Sequence, residues 1–184
     1  MNITVKQSSL DSLKAAIEGT TRKIKSELRI AINATATKSK SILNKEIRSE
    51  LALPAKAVNS LIGIKRKASG DDISATVEVK KSKRPRITQF SHRQTKKGVS
   101  AKVSKSRPRT VIASAFKVNR WGGQVVLRKT KARGPLRTPR GPSPFGVLTK
   151  GKKLEPSLKQ TEAELIKQVQ RRIRFITLKK TGAI

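Results

Sequence analysis

Cysteine is missing from this chain of 184 residues, and aromatic residues make up only 3% of it, with one Trp and no Tyr. The lack of cysteine excludes a disulfide framework, a thiolate metal site and a cysteine nucleophile. No apolar run approaches the ~18 residues of a membrane span, and residues 1–6 lack the apolar region of a signal peptide. We therefore expect an aliphatic core, no membrane partner and assembly in a reducing cytoplasm.

Acidic residues are also scarce. Asp and Glu number 11 against 44 Lys and Arg, which gives a net charge of +33, and no acidic residue lies between Val79 and Leu154. A compact monomer with this charge repels itself, so a polyanion or closely packed partners are expected to stabilise it. Surface charge that serves solubility alone intersperses both signs. The missing sign therefore predicts contact with a polyanion.

The candidate polyanion-contact residues form three clusters in this acid-free stretch. They are Lys80, Lys81, Lys83, Arg84 and Arg86 in the first cluster, Arg93, Lys96, Lys97, Arg107 and Arg109 in the second, and Arg128, Lys129, Lys131, Arg133, Arg137 and Arg140 in the third. Aromatics suited to stacking on bases are few here, and we interpret Phe116 and Trp121 as packing residues that flank a hairpin. Contact is therefore expected with phosphates rather than with bases.

Catalytic signals are weak. His92 is the single histidine and lies in a polar, basic stretch, which favours a surface residue over a general base. Asp71 and Asp72 follow Gly70, and this pattern predicts a turn rather than a metal pair. The sequence holds no phosphate-binding GxxxxGK[ST] loop, no HExxH and no GxSxG motif. We predict no catalytic, cofactor-binding or metal-binding residue, and a protein that is not an enzyme.

Periodicity predicts helices at both ends of the chain. Apolar residues at spacings of three, four and seven predict a helix over residues 9–51, and the Ser- and Thr-rich part at 35–41 leaves open a break there. Pro54 suits the start of a short helix over residues 55–62. The second terminal helix is predicted over residues 155–175. Its expected apolar stripe consists of Leu158, Leu165, Ile166, Val169 and Ile173.

Between the helices, alternation of apolar and polar residues predicts antiparallel strands. The predicted strands cover residues 64–68, 73–79, 86–90, 99–103, 110–118 and 123–129, with turns at residues 69–72 and 121–123. Residues 130–153 mix Gly, Pro and basic residues, which predicts an extended arm without a packed element. We predict an α+β fold with a long N-terminal helix, a central antiparallel sheet, a basic Gly/Pro arm and a C-terminal helix. The four segments, 1–63, 64–130, 131–153 and 154–184, are expected to form one structural domain.

Two stretches carry a resemblance to a known family. The first holds Ala31-Ile32-Asn33, Leu53-Pro54, Val58, Ile62 and Lys65-Arg66-Lys67-Ala68; the second holds Ala115-Phe116, Gly122-Gly123, Val125-Val126 and Arg128. In these stretches, and in the Pro-containing segment and C-terminal helix that follow, the chain resembles the minor tail protein Z family of long-tailed phages and prophages, also called tail completion proteins. It departs from the family pattern in the Gly/Pro-rich residues 133–146.

The resemblance implies a virion protein that acts late in tail assembly, at the head-proximal end of the tail, where it stabilises the tail and joins it to the head connector. The implied partners are other copies in a ring, expected to be a hexamer, the tail-tube, tail-terminator and head-connector proteins, and genomic DNA through its phosphates. A non-specific RNA- or DNA-binding protein of ribosomal or nucleoid type explains the charge equally well. A cationic membrane-active protein is disfavoured because no helix combines a strong apolar face with a Lys-rich face and Trp anchors.

Overall fold

A computed structural model describes residues 2–4, 22–81, 83–128, 130, 134–150 and 153–180. Its mixture of helices and antiparallel sheets confirms the predicted α+β class. The chain groups into two compact units: unit 1 takes its described residues from 1–43, 62–79 and 152–184, and unit 2 from 44–61 and 80–151. Each unit combines parts of several of the four predicted segments.

Helix α1 covers Arg22–Glu50 without interruption, so the break left open at residues 35–41 does not occur. The hydroxyls in that stretch donate to carbonyls one turn earlier, as Thr35 Oγ1 does to Ala31 O at 2.9 Å and Ser39 Oγ to Thr35 O at 2.8 Å. Residues 9–21 of the predicted helix lie outside the described residues. The next helix, α2, covers Ala55–Asn59 and is shorter than predicted, because Ile62 already begins a strand.

Unit 1 contains one three-stranded antiparallel sheet in the order β1-β3-β2. The strands are β1 (Asn2–Thr4), β2 (Ile62–Arg66) and β3 (Thr76–Val79). The predicted turn between β2 and β3 is confirmed by the paired backbone groups of Ser69 and Asp72. The Asn33 side chain bonds both backbone groups of Ala68, at 2.9 and 3.0 Å, and so fixes this loop to α1.

The core of unit 1 is an aliphatic cluster between α1, the β2–β3 loop and the C-terminal helix, as the scarcity of aromatics predicts. Its buried members are Leu28, Ala31, Ile32, Ala68, Leu165 and Val169. The C-terminal helix is α4 in the structure and covers Leu154–Lys180, where the sequence predicted residues 155–175.

The predicted apolar stripe of α4 is wrong for Ile166 and Ile173, whose side chains are 55% and 49% exposed. The buried face repeats every four residues and includes Ser157 and Thr161 beside the apolar members of the core. These two hydroxyls can be buried because each donates to a carbonyl one turn earlier, at 2.8 and 2.9 Å. An apolar stripe drawn from the sequence leaves them out.

Unit 2 contains two further three-stranded sheets, so the predicted single central sheet is wrong. One sheet has the order β4-β5-β6, with β4 at Ser91–Thr95, β5 at Gly98–Lys102 and β6 at Thr110–Ala113. The other has the order β7-β8-β9, with β7 at Ala115–Val118, β8 at Gln124–Arg128 and β9 at Leu136–Arg137.

Three details of the strands differ from the prediction. Residues 86–90 are not a strand, because a 3-10 turn occupies Ile87–Gln89. The predicted strand 110–118 is divided at Ser114, whose φ of 60° turns the chain from β6 into β7 of the other sheet. Strand β4 was not predicted at all. The predicted hairpin turn is confirmed, because Gly122 has a left-handed φ of 61° between β7 and β8.

The Gly/Pro-rich residues are folded where the structure describes them, so the predicted absence of a packed element is wrong for residues 134–150. Strand β9 pairs with β8, and helix α3 covers Pro144–Lys150 with Pro144 and Leu148 buried. Proline suits this position because its missing N–H is not needed in the first turn of a helix. Residues 131–133 and 151–152 of the predicted arm lie outside the described residues.

Candidate polyanion-binding surface

Charge of one sign dominates unit 2. Its sequence holds 24 Lys and Arg residues but only two acidic residues, Glu46 and Glu50. In residues 80–150, every Lys and Arg whose side chain the structure describes is exposed, except Lys80 and Lys102, which are half-buried. No carboxylate within residues 80–151 can neutralise these groups, because that stretch contains none. The positive charge is therefore displayed on a folded surface.

The candidate residues of all three clusters belong to this unit. Lys129, Lys131 and Arg133 lie outside the described residues. The remaining candidates form two surfaces. One surface holds residues of the second cluster, and the other combines residues of the first and third clusters.

One surface is the open face of the β4-β5-β6 sheet. The strand register places Arg93 opposite Ser100, and Ser100 opposite Val111. The neighbouring residues of β5, Val99 and Ala101, point to the other face and are fully buried. We call the opposite side the sheet face; its members are Ser91, Arg93, Arg109 and Val111, which are exposed, Lys102, which is half-buried, and Ser100, which is buried.

The Arg109 guanidinium is fixed on the sheet face by neutral partners. Its Nη2 donates to Ser91 O at 3.1 Å, and its Nε donates to Ser100 Oγ at 3.3 Å. Hydroxyl and carbonyl oxygens orient the group without cancelling its charge. Arg93 is exposed on the same face, so two arginines lie where a flat polyanion could contact both.

The second surface is an open groove of about 760 Å³, which we call the arginine groove. It is lined by Arg84, Leu127, Pro135, Leu136, Arg137, Thr138, Pro139 and Arg140. Backbone hydrogen bonds hold its two segments together, from Ile87 N to Pro139 O at 3.2 Å and from Gly141 N to Pro85 O at 2.8 Å. The groove thus places Arg84 of the first cluster beside Arg137 and Arg140 of the third cluster, although more than 50 residues separate them in the sequence.

Aromatic rings on unit 2 contact cations. Arg128 lies over the Phe116 ring at 5.5 Å from its centroid, and Lys81 lies over the Phe145 ring at 5.8 Å. Trp121, at the tip of the β7–β8 hairpin, is 52% exposed, so its interpretation as a packing residue is wrong. The hairpin tip presents its indole to solvent beside the exposed Arg120.

The residues considered for catalysis have structural partners. His92 is half-buried, with Nδ1 2.9 Å from the carbonyl oxygen of Phe90. Asp72 Oδ1 accepts a hydrogen bond from Ser74 N at 3.1 Å within the turn, which confirms the turn interpretation. Across the described ranges, no group of three or more His, Asp and Glu side chains is placed to hold a metal ion.

Neither the helices nor similarity to known proteins identifies a function for this surface. Among the helices that the structure describes, none has the length and apolar character to cross a membrane. Comparison of the chain with protein-family models, with curated proteins and with solved structures found no match.

Proposed function

We propose that this chain is a non-enzymatic structural protein of a phage virion, of the tail completion or minor tail type. It acts at the head-proximal end of the tail, where it stabilises the tail and joins it to the head connector, and it assembles in the host cytoplasm. The observation that carries the proposal is the folded unit 2, with 24 basic residues and two acidic ones. The resemblance of residues 31–68 and 112–128 to tail completion proteins supports the tail role.

Phosphate contact suits this role physically. A DNA duplex carries one negative charge per ~1.7 Å of its axis, whatever its sequence. A tail must pass a whole genome, so contacts to the backbone are more useful there than contacts to particular bases. The sheet face and the arginine groove offer such contacts, and acidic surfaces of tail-tube, terminator and connector proteins can take up further charge. Copies of the chain form a closed ring, as a hexamer, through a heterologous interface.

The first test is binding of a 20-base-pair DNA duplex to the full chain, followed by fluorescence anisotropy over a series of NaCl concentrations. We expect log Kobs to fall linearly with log salt, with a slope of about −0.9 for each phosphate neutralised. A peptide nucleic acid duplex of the same sequence, whose backbone is uncharged, is the control and should not bind. Absence of DNA binding at low salt would contradict the proposed polyanion contact.

The second test separates the tail role from its rival. The open sheet face with Arg93 and Arg109 also suits a non-specific RNA- or DNA-binding protein of ribosomal or nucleoid type. Mass spectrometry of fractionated lysates should find the chain in particles with tail proteins. Deletion of its gene should leave filled heads and unattached tails in electron micrographs, and the intact gene should restore joining. Recovery of the chain in ribosomal or nucleoid fractions instead would favour the rival.

A further inference from the structure

We infer that the arginine groove is the site where unit 2 holds the phosphodiester backbone of a nucleic acid. This inference rests on the proposed function and deepens it, because it assigns the phosphate contact to three side chains, Arg84, Arg137 and Arg140. The remaining basic residues of unit 2 attract the polyanion through their field, and those of the sheet face add further contacts to it.

Positive residues converge on the arginine groove. Three arginines are among its lining residues, and the stretch from residue 80 to 151 offers them no carboxylate. Like charges gathered in a concave, partly apolar site repel each other more strongly than charges spread over a convex surface in water. An anion bound in the groove removes this repulsion, so the arrangement itself favours an anionic ligand.

Hydrogen bonds fix the backbone of the groove before any ligand binds. Two backbone hydrogen bonds tie residues 85–87 to residues 139–141, and Arg84 Nε donates to Gly141 O at 3.0 Å. Glycine is needed at position 141, because a Cβ there would lie 2.6 Å from Cε2 of the buried Phe90. A groove that is already formed loses little conformational entropy when it binds its ligand.

The groove also has hydrogen-bond donors to offer a ligand. Within the described residues, the bond from Arg84 Nε to Gly141 O is the only hydrogen bond that these three side chains make. The terminal nitrogens of Arg84 and the whole guanidinium groups of Arg137 and Arg140 therefore remain for a ligand. A guanidinium presents parallel N–H groups that match two oxygens of one phosphate.

The form of the charge favours nucleic acid over an acidic protein as the ligand. Acidic protein surfaces usually intersperse charges of both signs, whereas a nucleic acid backbone carries negative charge along its whole length. Residues 80–151 carry only positive charge. The exposed Leu136 and its neighbour Pro135 add apolar surface against which sugar carbons can lie.

The test compares variants of the full chain in binding the 20-base-pair duplex. The groove variant is Arg84→Gln with Arg137→Gln and Arg140→Gln. The control variant is Lys56→Gln with Lys105→Gln and Lys150→Gln, which removes the same charge from exposed positions of unit 2 outside the groove. We expect the groove variant to bind about tenfold or more weakly at 0.1 M NaCl and to lower the salt slope by about 2–3. The control should lose less than about threefold, with a slope change below about one.

A charge-preserving variant keeps the inference testable if the Gln variant does not fold. Arg84→Lys with Arg137→Lys and Arg140→Lys keeps the charge but removes the planar fork, so it should bind the duplex about threefold more weakly. Circular dichroism checks that each variant unfolds at the temperature of the parent. If the Gln variant does not fold, parental affinity in the Lys variant overturns the inference.

The other outcomes separate the two proposals. If the parent chain binds no DNA, the polyanion contact in the proposed function fails, and the groove inference fails with it. If the parent binds and the groove variant loses no more than the control, the groove inference fails and the proposed function stands. If polyglutamate of equal charge competes with DNA as strongly as DNA itself, and the groove variant loses both ligands equally, then the groove fits an acidic protein and the inference is wrong.

Discussion

Two arginines of unit 1 form ion pairs with carboxylates, whereas Arg84 and Arg109 of unit 2 donate hydrogen bonds to hydroxyls and backbone carbonyls. In unit 1, Arg66 contacts Asp72 at 2.8 Å, and Arg172 contacts Glu27 at 3.4 Å. In unit 2, Arg109 donates to the backbone carbonyl of Ser91. Both units bury aliphatic side chains, so their hydrophobic interiors do not explain the difference.

The difference teaches how a fold can position charge without neutralising it. A carboxylate orients a guanidinium and also cancels its field, whereas a carbonyl oxygen only orients it. Unit 2 therefore keeps its positive potential for an external anion, and unit 1 uses part of its charge internally. Three experiments test how far this contrast extends.

The substitution Leu148→Ala tests whether the Gly/Pro-rich part of unit 2 has a packed interior. Leu148 is 1% exposed in α3, so the cavity left by truncation should lower the free energy of unfolding of unit 2 by about 2–5 kcal/mol. Amide hydrogen exchange, read separately for peptides of each unit, measures this loss. Lys150→Ala, at an exposed position of the same helix, should change it by less than about 0.5 kcal/mol. Equal effects would restore the prediction of an unpacked arm.

Salt should stabilise unit 2 more than unit 1, where some basic side chains are paired with carboxylates. Two like charges ~10 Å apart cost about 0.4 kcal/mol in water, and salt screens them. Raising NaCl from about 0.05 to 0.5 M should therefore increase the free energy of opening in β5 of unit 2 by about 1–2 kcal/mol. Exchange in α4 of unit 1 should stay level or become slightly faster, because its ion pair is screened. An equal increase in both units would remove the contrast.

The smallest effect concerns the turn of unit 1. Asp72→Ala removes a contact to Arg66 and the acceptor for Ser74 N, and should lower the free energy of unfolding by about 0.5–1 kcal/mol. The neighbouring Asp71 is 97% exposed and 3.6 Å from Lys25, so Asp71→Ala should cost less than about 0.5 kcal/mol. The free energy of opening, measured by amide hydrogen exchange in β3, distinguishes the effect of Asp72→Ala from that of Asp71→Ala. A larger loss from Asp71→Ala would mean that surface charge, rather than the turn, stabilises unit 1.

The sequence predicted those elements whose pattern is local. Period-3.6 spacing identified the terminal helices, and the glycines at residues 70 and 122–123 identified two turns. Strand β4 was not predicted because its sequence, Ser91 to Thr95, has no apolar alternation. The strand forms through its pairing with β5. The division of the predicted strand 110–118 at Ser114 was not predicted, because a serine in the left-handed conformation has no sequence signal comparable to that of glycine.

The candidate site was predicted in composition but not in shape. The missing acidic residues identified the stretch that displays the charge. The meeting of Arg84 with Arg137 and Arg140 depends on hydrogen bonds between backbone segments more than 50 residues apart, as between Arg84 and Gly141 at a separation of 57. The serine partners of Arg109 depend on strand register in the same way.

The exposed indole of Trp121 makes the intrinsic fluorescence of this protein specific to the β7–β8 hairpin. Trp121 is the only tryptophan, and tyrosine is missing, so light absorbed at 295 nm excites a single site that belongs to unit 2. Unit 1 emits nothing at these wavelengths. Emission colour, quenching by iodide and energy transfer from this natural chromophore therefore describe the surroundings of the β7–β8 hairpin without any label. Spectra that were meant to follow unfolding of the whole chain would follow unit 2 alone.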